Sequence, residues 1–181
     1  AMRALGLAAR HVEMDRHACD TLTAAGFGDV VCGDVRDPSW HPRERVDLLH
    51  GSPPCPVWSR ANQDEAQKAR AVDGWPWMLD AVRALRPTCV TVENVRGAPA
   101  AAWSRDLETL GYHVGAWLLD AADYGAAQRR VRWFIAASLT SAPLRPPSSR
   151  SSTLRRSGRP CVGAAAAAQA PASATLSNDS T

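Results

Sequence analysis

His50-Gly51-Ser52-Pro53-Pro54-Cys55-Pro56-Val57-Trp58-Ser59 is the stretch from which the rest of the chain can be read. Val46, Leu48 and Leu49 just before it predict a short buried strand, and Gly51 is expected to end the extended run and turn the chain. Pro53, Pro54 and Pro56 bracket Cys55. Each fixes its own φ and restricts the residue before it, so the thiol is held in one direction at a strand's carboxyl end. Open α/β sheets place their chemistry at that end. A free cysteine is otherwise most often a packing residue, and Pro-Pro-Cys by itself does not choose between the two readings.

Composition bounds what the chain can be. The 181 residues are 45% hydrophobic with seven tryptophans, enough for one α/β core. All the tryptophans precede residue 140, and residues 141–181 carry five arginines against one acid. The formal charge of +3 therefore belongs to the tail, and the first 140 residues are close to neutral. Any nucleic-acid contact of the globular part must come from local arginines. Cysteines 19, 32, 55, 89 and 161 are odd in number and form no Cys-x-x-Cys pair, which argues against a metal site and a disulfide framework and fits a reducing cytoplasm. No stretch is apolar enough to span a membrane or serve as a signal peptide.

Along the chain, residues 2–9 predict the end of a helix near Gly6. His11 to Asp15 predict a strand with an acidic end, and Arg16 to Ala25 a helix that Gly26 terminates. Val30-Val31-Cys32 predicts a second strand, ending at Gly33-Asp34. Glu13 and Asp34 thus stand about 20 residues apart at successive strand ends, where nucleotide-binding α/β folds place acids that accept hydrogen bonds from ribose or adenine. Each acid taken alone also fits a solvated turn. Ser59 to Gly74 is polar and predicts a lid. Trp75, Met78, Leu79, Val82 and Leu85 share one helical face, stopped by Arg86-Pro87. Pro99 opens another helix, with Trp103, Leu107 and Leu110 on one face and Gly111 closing it. Tyr112 to Leu119 and Val131 to Ala137 predict an antiparallel pair. Residues 141–181 are rich in Ser, Pro, Arg and Ala without an aromatic, and are expected to be disordered.

Two more clusters give Cys55 its context. Val90-Thr91-Val92 leads into Glu93-Asn94-Val95, and Gln128-Arg129-Arg130-Val131-Arg132 leads into another strand-like run. In this order, and about 35 residues apart, the three clusters resemble the Pro-Cys loop, the Glu-Asn-Val segment and the Gln-Arg-x-Arg segment of the DNA (cytosine-5) methyltransferase family. The resemblance covers roughly residues 2–140. It implies a Rossmann-like methyltransferase sheet, S-adenosylmethionine as cofactor, and DNA as partner with the target cytosine flipped out of the duplex, the chemistry of restriction-modification systems. No metal is called for.

The resemblance also assigns roles. Cys55 is the nucleophile that adds to carbon 6 of the ring, and its thiolate needs positive charge nearby. Arg130 and Arg132, two apart on a strand and so on one face, are the candidates; Arg132 also matches the family arginine that holds the base. Glu93 supplies a proton at ring nitrogen 3 and is expected in a closed pocket that keeps its carboxyl protonated, with Asn94 positioning the glutamate or the loop. Glu13 matches the ribose-binding acid, Asp34 the adenine-binding one, and Met14 and Pro54 also border the cofactor. Pro53, Ser59 and Gln128 surround the substrate.

The chain departs from the pattern as well. Family members begin with a strand and a Phe-x-Gly-x-Gly loop that cradles the methionine part of the cofactor, and this sequence starts after that loop. The sheet is therefore expected to lack its first central strand, leaving backbone donors and acceptors without partners. The target-recognition region and the closing motif have no counterpart. Met14 stands where the family often has an aromatic, and Pro56 where many members have glutamine. Residues 1–140 are thus expected to form a partial catalytic domain, weakly active or inactive alone. The alternatives are half of a split enzyme completed by a second chain, a non-catalytic nucleic-acid-binding relic working through its arginine-rich tail, or, less favoured, an enzyme acting on RNA.

Overall fold

The computed structural model of the chain describes residues 6, 8–54, 72–140 and 145. Residues 2–5 and 7 of the segment expected to end a helix near Gly6, most of the lid between Ser59 and Gly74, and the tail apart from Arg145 lie outside the described residues; Gly6 is in a turn with φ +68°.

Strand β1 (Arg10–Glu13) pairs in parallel with β2 (Asp29–Cys32), with Glu13 opposite Cys32. The connection is helix α1 (Arg16–Ala24), which starts where Asp15 accepts the backbone N–H groups of His17 and Ala18 at 2.8 and 3.1 Å. Satisfying these otherwise unpaired donors is what fixes a helix start. Gly26 ends it with φ +78°, a conformation that costs other residues about 1 kcal/mol or more.

The second sheet has strand order β3-β4-β6-β5, comprising β3 (Leu48–Gly51), β4 (Cys89–Val95), β5 (His113–Asp120) and β6 (Val131–Ser138). β3 and β4 are parallel because helix α2 (Trp75–Leu85) lies in the crossover between them. β6 runs antiparallel to both of its neighbours and sits between β4 and β5. The antiparallel pair expected at the chain's end is therefore present, with its later strand placed inside the sheet. The incomplete sheet is also present: among the described residues no strand hydrogen-bonds β1-β2 to β3-β4-β6-β5.

The core forms where α2 and helix α3 (Ala100–Thr109) cover one face of the larger sheet. Strand β4 alternates, burying Val90, Val92 and Asn94 and turning Thr91, Glu93 and Val95 the other way, as the two-residue period of a strand requires. Val90 and Val92 meet Ile135 and Ala137 of β6, Leu79 and Val82 of α2, and Trp103 and Leu107 of α3. Trp75 and Trp103 stack with ring centres 4.8 Å apart and planes at 11°. Trp75 spends its N–H on Asp106 at 2.7 Å, the partner a buried indole needs. At the other end of α2, Arg86 takes a left-handed turn (φ +44°) before Pro87, and the buried Tyr112 hydroxyl donates to the Pro87 carbonyl at 2.7 Å. Burial pushes that phenol's pKa up.

The strand before the Pro-Pro-Cys loop corrects one expectation. Val46 lies outside β3 and Leu48 is 36% exposed, because β3 is an edge of its sheet and Leu48 and His50 share the face turned away from the core, on which only Leu49 packs. Gly51 ends the extended run as expected, as the last residue of β3, opposite Val92.

Leu107 is fully buried while Met14 is 69% exposed. Leu107→Ala is expected to cost about 3 kcal/mol through lost transfer energy and the cavity left behind. Met14→Ala is expected to stay within about 0.5 kcal/mol. Urea unfolding followed by tryptophan fluorescence checks both.

Candidate active site

Strands β3 and β4 run parallel with Gly51 opposite Val92, so Ser52, the first residue past β3, comes level with Glu93, which is still in β4 and pairs with Phe134 of β6. The Ser52 hydroxyl donates to Glu93 Oε2 at 2.6 Å. The other oxygen, Oε1, faces Arg132 Nε at 3.2 Å. Arg132 comes from β6, opposite Val95, and the two side chains of the ion pair are 23% and 22% exposed. Glu93 is thus held by one hydrogen bond and one ion pair at the rim of an open groove, not enclosed in a closed pocket as expected. The groove, about 750 Å³, is lined among others by His50, Thr91, Arg130, Trp117 and Phe134. His50 Nδ1 lies 2.9 Å from Thr91 Oγ1, two residues before Ser52 and Glu93 along β3 and β4.

Asn94 points the other way. It is 2% exposed, donates from Nδ2 to the Pro53 carbonyl at 2.9 Å and accepts the Val95 N–H at 2.8 Å. Pro53 and Pro54 have no N–H, so a side chain must tie this loop down. Of the two roles expected for Asn94, the structure shows contact with the loop. Gly74, just before α2, closes the loop from the other side: a Cβ there would stand 2.5 Å from Pro54 Cδ and 3.2 Å from Pro53 Cβ. Those ring atoms cannot yield, whereas the equally close neighbour of Gly51 is the flexible Met78 thioether.

The arginine segment is positioned by Asp120. Its carboxylate accepts the Arg130 N–H at 2.9 Å, the Ala122 N–H at 3.2 Å and the Arg129 guanidinium at 2.9 Å. The Arg129 contact, with the two backbone donors, holds its pKa below the ordinary carboxylate value. Arg129 is thereby engaged with Asp120, while the exposed Arg130 lines the groove. Arg130 precedes β6 and is not part of the strand, yet it reaches the same groove as Arg132.

At the end of β1, Glu13 Oε1 accepts the backbone N–H groups of Met14 and Asp15 at 2.8 and 2.9 Å. Among the described residues no donor reaches Oε2. The carboxylate is thus aimed by its own strand end and keeps acceptor capacity for hydroxyl groups. Asp34, at the end of β2, is clamped by Arg36, whose guanidinium meets both carboxylate oxygens and pulls the acid's pKa down to about 2. Met14 and Val35, 69% and 44% exposed, offer apolar surface beside the two acids. This set fits the nucleoside half of a cofactor: an acceptor for the ribose, an acid, and two apolar side chains for a flat ring.

Cys55 and Ser59 lie outside the described residues, and Gln128 is exposed with no side-chain partner among the described residues. Of the other cysteines, Cys19 is buried, donates to the Glu13 carbonyl at 3.2 Å, and has its pKa pushed up to about 11, chiefly by its hydrogen bond with Cys32. Cys19 is a packing thiol. Sequence reasoning missed Ser52, Gly74 and Asp120. Ser52 lies one alternation past His50 and Asp120 ends a strand, as Glu13 does; nothing in the sequence signals the contact made at Gly74.

No group of three His, Cys, Asp or Glu that could hold a metal occurs among the described residues. No helix among them is long and apolar enough to cross a membrane.

Comparison with known proteins gives the family and the fold. Residues 5–165 match the C-5 cytosine-specific DNA methylase family. The chain is 38% identical over 139 residues to the Type II methyltransferase M.NaeI of Lentzea aerocolonigenes, covering 70% of this chain and 33% of that protein. It is 33% identical over 130 residues to the Type II methyltransferase M.NgoMIV of Neisseria gonorrhoeae, covering 67% and 41%. The chain thus spans between a third and two-fifths of these relatives' length. In fold it is similar to the Entamoeba histolytica methyltransferase EhMeth (TM-score 0.59, 14% identity, 78% of this chain and 48% of that one). It is also similar to the S. pombe Dnmt2 methyltransferase (TM-score 0.54, 18% identity, 72% and 41%).

The loop contact made by Asn94 generates a test. Asn94→Ala leaves the Pro53 carbonyl and the Val95 N–H without their partner and is expected to cost about 2 kcal/mol. Asn94→Asp, which keeps the shape but loses the donor, is expected to be at least as damaging. Urea midpoints of the two variants against the unaltered chain check this.

Proposed function

The chain belongs to the C-5 cytosine-specific DNA methylase family, and from that premise we propose that it carries the catalytic residues for methylating carbon 5 of cytosine in DNA. The observation that carries this reading is Glu93, held between Ser52 and Arg132 at the strand end from which the Pro-Pro-Cys loop departs.

Carbon 5 of cytosine is a poor nucleophile. The Cys55 thiolate adds to carbon 6, and Glu93 gives its proton to ring nitrogen 3, so that the ring electrons become available at carbon 5. A free thiol is only a few per cent ionised near neutral pH, and Arg130 and Arg132 provide the positive field that favours the thiolate. S-adenosylmethionine supplies an electrophilic methyl group when bound. Glu13 holds its ribose hydroxyls, Met14 and Val35 flank its adenine, and Asp34 stands beside them. After methylation the carbon 5 proton leaves to a base, the thiolate is expelled from carbon 6, and Glu93 recovers its proton from nitrogen 3. Pro53 and Pro54 fix the direction of the thiol, Asn94 holds Pro53, and Asp120 sets the arginine segment facing the groove. Ser59 and Gln128 border the flipped base, which must leave the duplex to reach the groove.

DNA containing 5-fluorocytosine tests the reading, because fluorine cannot leave as a cation and the attacking thiol stays attached. With cofactor present, and with the segments of its relatives that this sequence does not span supplied by fusion or by a second chain, the protein is expected to form a denaturant-resistant adduct that Cys55→Ser abolishes and that Cys32→Ser and Cys89→Ser leave intact. Glu93→Gln is expected to slow its formation on the order of 100-fold. An adduct that survives Cys55→Ser, or none from the completed protein with Cys55 intact, contradicts the proposal.

A further inference from the structure

We propose that Ser52 is a positioning residue for the acid, holding the Glu93 carboxyl in one orientation whether or not it carries the proton; this rests on Glu93 being the group that protonates the ring. Arg132 cannot do this alone. Its closest approach is Nε to Oε1 at 3.2 Å, an ion pair without a hydrogen bond, while its Nη1 is spent on the Val131 carbonyl at 2.8 Å. The two-pronged arrangement by which a guanidinium normally fixes a carboxylate is therefore missing. One contact on one oxygen leaves the carboxyl free to rotate. The second oxygen is fixed by Ser52 at 2.6 Å.

The chemistry of the two partners differs in a way that suits a proton-carrying acid. A guanidinium only donates, so its contact serves the ionised carboxylate. A hydroxyl donates and accepts. When Glu93 is ionised, Ser52 donates to Oε2; when Oε2 carries the proton, it donates to Ser52 Oγ, and the carboxyl stays where it was. The other groups facing Glu93 do not replace this contact. His50 on β3 is engaged with Thr91, and Arg130 and Arg145 line the groove as donors only.

Ser52 also links the acid to the nucleophile loop. It is joined through Pro53 and Pro54 to Cys55, and Asn94, the neighbour of Glu93, holds Pro53. Two successive residues of β4 thus grip two successive residues of the loop, and displacement of the loop pulls the hydroxyl off the carboxylate.

The test uses the full chain labelled with ¹³C at the glutamate carboxyls, the Glu93 resonance being assigned by its loss in Glu93→Gln. Ser52→Ala is expected to move that resonance at constant pH and to slow adduct formation with 5-fluorocytosine DNA about tenfold, with DNA affinity unchanged. Ser52→Thr, which keeps the hydroxyl, is expected to restore both. An unmoved resonance and an unchanged rate in Ser52→Ala overturn the proposal, as does failure of threonine to rescue either readout. If the protein completed by fusion or by a second chain forms no adduct, the reading of Glu93 as the ring's acid fails, and an unmoved resonance then overturns the Ser52 contact independently.

Discussion

One buried hydrogen bond holds the candidate site together, from Asn94 Nδ2 to the Pro53 carbonyl. The Pro-Pro segment cannot anchor itself, since neither proline has an N–H to give. Asn94 makes the bond at a position where β4 alternation would otherwise place an apolar residue. Burying an amide costs a few kcal/mol unless it is satisfied, and here both of its ends find partners, the second being the Val95 N–H. The polar group in the core therefore specifies where the loop sits. Gly74 completes the constraint from the α2 side by leaving room only for the proline rings.

With the loop fixed, the sheet geometry determines the remainder. Because β3 and β4 are parallel and in register, Ser52 and Glu93 emerge level with one another. Because β6 lies between β4 and β5, Arg132 reaches Glu93 from the opposite side. Had β5 been the neighbour of β4, the arginine segment would have been a strand further away. Asp120, at the end of β5, then holds the turn into β6 through three donors.

Much of this was legible in the sequence because it depends on local periodicity and on residue types with narrow uses. The β-branched run Val90-Thr91-Val92 gave β4, which continues to Val95, and the spacing of Trp75, Met78, Leu79, Val82 and Leu85 gave α2. The Pro-Pro-Cys, Glu-Asn-Val and Gln-Arg-x-Arg clusters gave the family. Side-chain pairing across strands was not legible, because it depends on register and strand order. Ser52 carries no signal of its own until β3 is aligned with β4, Glu93 was expected in a closed pocket, and Arg132 was not expected to pair with it. The error at Leu48 has the same origin: three apolar residues in four suggest a buried strand, and only the sheet order shows that β3 is an edge.

The central claim is that the Pro-Pro-Cys loop and the end of β4 work on one cytosine as a unit. The most direct measurement is a crystal structure of the chain bound to DNA trapped with 5-fluorocytosine. The account predicts an extrahelical base with Cys55 Sγ bonded to carbon 6, a Glu93 oxygen within hydrogen-bond distance of nitrogen 3, and Asn94 still on the Pro53 carbonyl. A base attached to another residue, or one whose nitrogen 3 faces away from Glu93, would contradict it.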